Sequence, residues 1–289
     1  MDVAVYMHDA EFVAELVGDA AEGGYTVGPD GEVREEDLAR WGLASGDEGN
    51  IRGPGDQKVL DAMATLFELK KEGVIRAVGF SGAFSLPPPP LVLILLSRIS
   101  GFPLPSLLRI ARLVAAHHEP IDILQTYCHH TIQNTTLTSF LPLFHAAGVK
   151  QVVSASPLSM GLLRTAGGQT WHPASPALKK ATEDAVAAVA KRGSTLEMVS
   201  LGYGFTSAAL HEGSGEDTPT VVGLSTPQEV HETVEVYRSL YEKESRKGRR
   251  PGEGEGSDAR YRAQLELEKI VVDFYKESNT YNWTWPQGV

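Results

Sequence analysis

An α/β fold of the (β/α)8-barrel kind is what this sequence predicts, on three observations. Short apolar strands alternate with amphipathic helices, which implies parallel pairing through helical crossovers. Five strands each close on a polar residue: His8, Ser81, Gln125, Ser154 with Ser156, and Ser225. Such closures are expected where several strand ends converge on one catalytic face. No Gly-rich turn follows the first strand, as an open dinucleotide-binding sheet needs. The GxGxG string at 252–256 lies in a charged stretch with no strand before it, and reads as a flexible loop.

The elements follow in order. Residues 3–7 form the first strand. Residues 58–71 place Val59, Leu60, Met63, Leu66, Phe67 and Lys70 at helical spacing, and Gly73 stops the helix. Residues 74–80 make the second strand. A helix at 104–116 leads to a strand at 121–126. A helix at 137–147, stopped by Gly148, leads to a strand at 149–154. Two helices follow, 177–192 ending at Gly193 and 196–210. The fifth strand is 220–224, and Pro227 opens the helix 227–241. Residues 260–277 are amphipathic, with Leu265, Leu267, Ile270, Val271 and Phe274 on the apolar side of a helix expected to cap the barrel.

The 289 residues exceed the roughly 250 that a barrel needs, yet they supply five strands. The surplus lies in three irregular insertions or loops. Residues 18–54 are Gly- and acid-rich without a sustained period. Residues 83–100 hold four consecutive prolines and an apolar run, and residues 242–258 are charged and low in complexity. Chain 1–289 is read as a single, partial domain.

Lys plus Arg number 26 against 37 for Asp plus Glu, a net charge of -11. That acidity repels phosphate backbones and anionic lipid, so neither nucleic acid nor a membrane surface is an expected partner. The single Cys128 excludes an internal disulfide and reads as a small buried hydrophobe. The pairs His117-His118 and His129-His130 read as surface or core, because adjacent side chains point apart; no metal is expected. The run 242–250 mixes acids into its basic residues and reads as a solvated loop. The longest apolar run, 91–96, falls short of the ~18–20 residues that span a bilayer. The start has no basic-then-apolar order of a signal peptide, so a soluble, cytoplasmic protein is expected.

Several strings in order resemble the aldo-keto reductases, in particular the branch of D-arabinose 1-dehydrogenase and L-galactose dehydrogenase. They are Val5-Tyr-Met-His-Asp9, Gly73-Val-Ile-Arg-Ala-Val-Gly-Phe-Ser-Gly82, and Leu124-Gln-Thr-Tyr-Cys-His-His-Thr-Ile-Gln-Asn134. Ala155-Ser-Pro-Leu-Ser-Met-Gly-Leu-Leu163, Trp171-His-Pro-Ala-Ser-Pro176 and Val222-Gly-Leu-Ser-Thr-Pro-Gln-Glu-Val230 follow. The resemblance aligns with the family's fourth to eighth strands, so the chain is read as N-terminally truncated, missing the first three. Removing residues 83–100 joins Gly82 to Gly101 and restores the branch's run from strand into helix, so that segment reads as a retained intron or a gene-model error.

The resemblance implies a nicotinamide-dependent oxidation of an aldose, D-arabinose or a relative, to its lactone. Of the family's Tyr, Asp, Lys and His tetrad it gives only His8, which would orient the reacting oxygen. Tyr25, Tyr127 and Tyr203 do not sit in the motif that carries the family's catalytic Tyr, so the alternative is a catalytically dead fragment or pseudoenzyme. Ser81 and Gln125 would bond the nicotinamide carboxamide. Ser156, Leu158 and Met160 would lie along the pyrophosphate. Gly223, Leu224, Ser225 and Thr226, with Glu229 and Glu232, would meet the adenosine end. No Lys or Arg stands between Val221 and Val236, which argues for NAD over NADP because a 2′-phosphate lacks a partner there. The oligomeric state is left open. The tail Tyr281-Asn-Trp-Thr-Trp285 is expected near the mouth of the active site.

Overall fold

A computed structural model describes residues 4–8, 14–15, 33–81, 104–206, 218–240 and 257–284. Residues 83–100, the GxGxG loop with the rest of 242–256, and residues 18–32 lie outside the described residues, so the readings made on them stand as expectations. Contacts divide the chain into two compact units, residues 1–127, 136–153 and 284–289, and residues 128–135 and 154–283. The strands are β1 Ala4–His8, β2 Ala77–Ser81, β3 Ile123–Tyr127, β4 Gln151–Ala155 and β5 Thr220–Val221. They follow one another in the order β1-β2-β3-β4-β5, and β1 with β2, β2 with β3 and β4 with β5 pair in parallel. A doubly wound sheet reverses its strand order at a switch point. No reversal occurs among the described strands, and α/β with a parallel sheet is the class expected.

In the first unit the helices are α1 Glu35–Arg40, α2 Pro54–Lys71, α3 Leu104–His117 and α4 Leu137–Ala146. Two sequence expectations need correction here. Residues 18–54 are not wholly irregular: the Asp37 carboxylate accepts the Arg34 N–H and caps α1. Trp41 and Leu43 behind it are buried, with Trp41 stacked 5.8 Å from Phe140. Helix α2 starts at Pro54 rather than 58, because Pro at N1 loses no needed donor and Asp56 fills the first turn. Asp56 is fully buried and meets the Arg109 guanidinium in two bonds, 2.7 and 3.0 Å. Its oxygens also accept the N–H groups of Glu15 and Arg52. Burial raises the Asp56 pKa, but these donors outweigh it and hold the carboxyl below its ordinary value.

Strands begin later than the apolar pattern suggests, because the residues before them finish helices. Gly73 adopts φ +74°, and Val74 N–H donates to Leu69 O in the cap. Val74 is therefore exposed rather than in the ladder, and β2 opens at Ala77. Gly148 does the same after α4: at φ +83° a Cβ there would also lie 2.6 Å from Pro120, and Val149 N–H closes the cap on Phe144 O. Asp122, just before β3, accepts bonds from Lys70 (2.7 Å), Lys150 (2.7 Å) and the Val78 N–H (2.9 Å). Burial raises its pKa, and the two ammonium groups and the amide lower it by more, so the net shift is down. Asp122→Asn should remove the charge shared by Lys70 and Lys150 and cost about 1–3 kcal/mol, read as a lower urea midpoint; an unchanged midpoint would refute the clamp.

The second unit packs α5 Pro176–Ala190, α6 Leu196–Thr206, α7 Pro227–Leu240 and α8 Ser257–Glu277. Leu178, Ala185, Val189, Leu196, Val199, Val271 and Tyr275 form its core. Strand β5 is shorter than the expected 220–224, because the chain leaves the ladder to cap α7 with Thr226, whose Oγ1 accepts the Glu229 N–H. On α8 Glu268, Val271 and Tyr275 are buried, and Leu267 and Phe274 of the expected apolar side pack against the core; Leu265, expected on that side, is exposed. Gln264 donates both to Val199 O on α6 and to Glu268 Oε1. A Cβ at position 202 would overlap that amide, which would then have to shift. No helix among the described residues is long and apolar enough to cross a membrane.

Two buried groups in this unit oppose each other in pH. Burial raises Glu268 to about 7 from 4.5, the Gln264 bond pulling weakly the other way. The folded state then holds more protons, so this group's contribution is full below pH 4.5 and falls as pH rises toward 7. His172, in the loop before α5, is pushed down to about 4 from 6.5, first by burial, against a raising bond to Ser159 O. Its contribution is full above pH 6.5 and is lost as pH falls toward 4. Glu268→Gln should be more stable than the parent at pH 8 by about 2–3 kcal/mol, with no gain at pH 4.5. His172→Gln should flatten the loss of stability between pH 6.5 and 4. Denaturant titrations at fixed pH read both, and parallel profiles for parent and variants would overturn the assignments.

Candidate functional site

The strand ends of the first unit set three of the expected residues level. His8 at the end of β1 pairs in register with Ser81 at the end of β2, and Ser81 pairs with Gln125 of β3. Their backbones form one lateral row across three strands. Gln125 is half-buried.

In the second unit the chain leaves β4 through a run of strained backbone. Ser156 (φ +57°), Ser159 (φ +47°) and Met160 (φ +54°) are left-handed without being glycine, as is Cys128 (φ +63°). Each such residue costs roughly 1–3 kcal/mol, and such strain gathers at functional sites. Surrounding bonds hold the run in place. Cys128 N–H donates to Ala155 O at 3.1 Å. Ser156 Oγ reaches Met160 Sδ at 3.5 Å, and Ser159 Oγ donates to Thr131 Oγ1 at 3.3 Å. His172 Nε2 bonds Ser159 O at 3.1 Å while its Nδ1 accepts the Ala174 N–H, which assigns the proton to Nε2. Cys128 is buried and burial pushes its thiol up, so it is the inert small residue expected.

The chain near its end closes on the same region. Gln133 Nε2 donates to Thr280 O (2.7 Å) and Asn134 Nδ2 to Trp283 O (2.9 Å). Asn282 Oδ1 accepts both the N–H (2.8 Å) and the hydroxyl (3.1 Å) of Thr135.

A cavity of about 340 Å³ opens in this unit, and six expected cofactor residues line it: Leu158, Gly223, Leu224, Ser225, Glu229 and Glu232. Ser156, Met160 and Thr226 are not among the lining residues. The volume is at the lower end of the ~300–1,000 Å³ typical of small-molecule sites. Leu201, Met198 and Val236 give it apolar walls, and Gly223 leaves open space where a Cβ would stand. A flat heteroaromatic ring between aliphatic walls, with carboxylates for ribose hydroxyls, fits this donor and acceptor set. Glu229, expected at the adenosine end, has an Oε2 that accepts the Ser225 N–H at 2.7 Å. That bond, then contacts with Arg164, hold its pKa down despite some desolvation.

Sequence reasoning missed the opposite wall. Arg164, Thr165 and Glu197 also line the cavity. Arg164 Nη2 lies 3.1 Å from Glu229 Oε1, so the expectation that no cation meets this end is corrected. The stretch 222–235 has none, but the fold brings one from 65 residues away. Glu197 fixes the loop beside it, accepting both the N–H (2.7 Å) and the hydroxyl (2.6 Å) of Thr165. Among the described residues no group of three His, Cys, Asp or Glu is arranged to hold a metal.

No family model matches the chain. L-galactose dehydrogenase from Arabidopsis thaliana is 30% identical over 234 residues, 81% of this chain and 58% of that protein. D-arabinose 1-dehydrogenase from Saccharomyces cerevisiae is 26% identical over 235 residues, 80% of this chain and 58% of that protein. The chain thus spans a little over half the length of these curated relatives. An aldo/keto reductase structure from Brucella melitensis covers 93% of this chain and 92% of its own at 13% identity, with a TM-score of 0.35; that likeness is too slight to carry an argument. The two sugar dehydrogenases are of the branch that the strings from Val5 to Val230 resemble, and they match about four-fifths of the chain.

Proposed function

We propose that this chain binds a nicotinamide adenine dinucleotide and serves the oxidation of an aldose, D-arabinose or a close relative, at C1 to its lactone. The cavity carries the reading: residue 158 and residues 223–225, 229 and 232, some 65 positions on, line one space. NAD is favoured over NADP, because four carboxylates and one guanidinium line that space. The sugar is inferred from what the two relatives are named for. No nucleic-acid or membrane partner is proposed, and the cytoplasm is the compartment.

When bound, a nicotinamide would supply the hydride acceptor for oxidation at C1. The chain's own residues bind and orient. Leu158, Leu201 and Val236 would flank the adenine, and Glu232 would accept from ribose hydroxyls. Ser81 and Gln125 would hold the carboxamide, and His8 at the neighbouring strand end would donate to the reacting oxygen.

A second reading, nucleotide binding without turnover, is favoured by one observation. The row His8–Ser81–Gln125 and the cavity lining contain no Tyr, Lys or Asp to take the hydroxyl proton. Losing a general acid or base commonly costs ~10²–10⁴-fold.

Titrating the purified chain with NAD+ and following NADH on D-arabinose tests both. Binding with D-arabinose-dependent NADH, lowered in His8→Gln at unchanged NAD+ affinity, is the result expected of the enzyme. Binding without NADH on any aldose gives the second reading. Binding of neither NAD+ nor NADP+ refutes both.

A further inference from the structure

Resting on the nucleotide reading above, the bonds around the cavity single out one residue that sets the choice of nucleotide. Four carboxylates line the space, Glu197, Glu229, Glu232 and Glu235, against the guanidinium of Arg164. Glu197 is engaged by Thr165 through both oxygens. Glu232 accepts from Gln228 Nε2 at 2.7 Å. Glu229 alone meets Arg164, at 3.1 Å.

The two partners of that pair are held unequally. Glu229 sits in the first turn of α7, bonded to the Ser225 N–H, and its own N–H bonds Thr226 Oγ1. Arg164 belongs to a loop, and its side chain is 43% exposed against 28% for Glu229. The carboxylate is the fixed member and the guanidinium the one that can turn.

We infer that Glu229 excludes phosphorylated dinucleotides by masking Arg164. A phosphate monoester on the adenosine ribose brings a charge of about −1.5 to −2 at pH 7. It would enter a space with an excess of carboxylates, whose guanidinium is already engaged. Removing the charge of Glu229 frees a planar fork suited to bidentate phosphate binding. Glu229→Gln keeps an oxygen for the Ser225 N–H, so the cap on α7 survives while the ion pair does not.

Calorimetric titration of NAD+ and NADP+ into the parent, Glu229→Gln, Arg164→Met and the double variant tests this. Glu229→Gln should raise the ratio of NADP+ to NAD+ affinity about tenfold or more. The gain should shrink at high salt and vanish in the double variant. Arg164→Met alone should bind NADP+ no better than the parent. An unchanged preference in Glu229→Gln, or a gain that survives loss of Arg164, overturns the inference while leaving the nucleotide reading standing. Failure of the parent to bind either nucleotide overturns both.

Discussion

Asp122 is the fixed point from which the first unit's geometry follows. Its carboxylate takes the Val78 N–H and two ammonium groups at the base of the sheet. Three residues further on, in the same register, stand Ser81 and Gln125. The bond at one end therefore decides which residues are level at the other. A slip by one would set Gly82 against Gln125 and reverse the side-chain alternation of a whole strand. Buried charge here secures alignment more than net stability, since such pairs lose in desolvation much of what they gain in attraction.

The second unit uses carboxylates differently. Glu197 and Glu229 fix a loop and a helix start beside a cavity, and Glu268 is buried on α8 and accepts from the Gln264 amide. The oxygens of Glu197 and Glu229 accept the backbone N–H groups of Thr165 and Ser225. The left-handed residues at the end of β4 belong to the same pattern. A strained path is held by Thr131, His172 and Ala155, which over-determine it.

Much of this was legible in the sequence, for identifiable reasons. Gly73, Gly148 and Gly193 each end a helix at positive φ as read, because backbone conformation is a local property. The strand–helix alternation was equally plain. What escaped was set by distant partners. Helix α1 forms inside a stretch with no period because Trp41 finds Phe140, roughly 100 residues away. Leu265 faces out while Glu268 goes in because α8 meets α6 at Gly202 and needs an amide there. Arg164 reaches Glu229 across a fold, and no spacing rule links a loop residue to a helix 65 positions on.

The contacts between residues 133–135 and 280–283 bear on how the chain is made. Gln133, Asn134 and Thr135 are among the first residues of the second unit to leave a ribosome, and their partners are among the last. That unit cannot complete its polar bonding until nearly the whole length described has emerged. At ordinary synthesis rates of about 5–20 residues per second, the segment waits many seconds with buried-to-be amides still facing water. Such late closure of a long loop is slow to form and leaves the nascent intermediate exposed to proteases and to self-association.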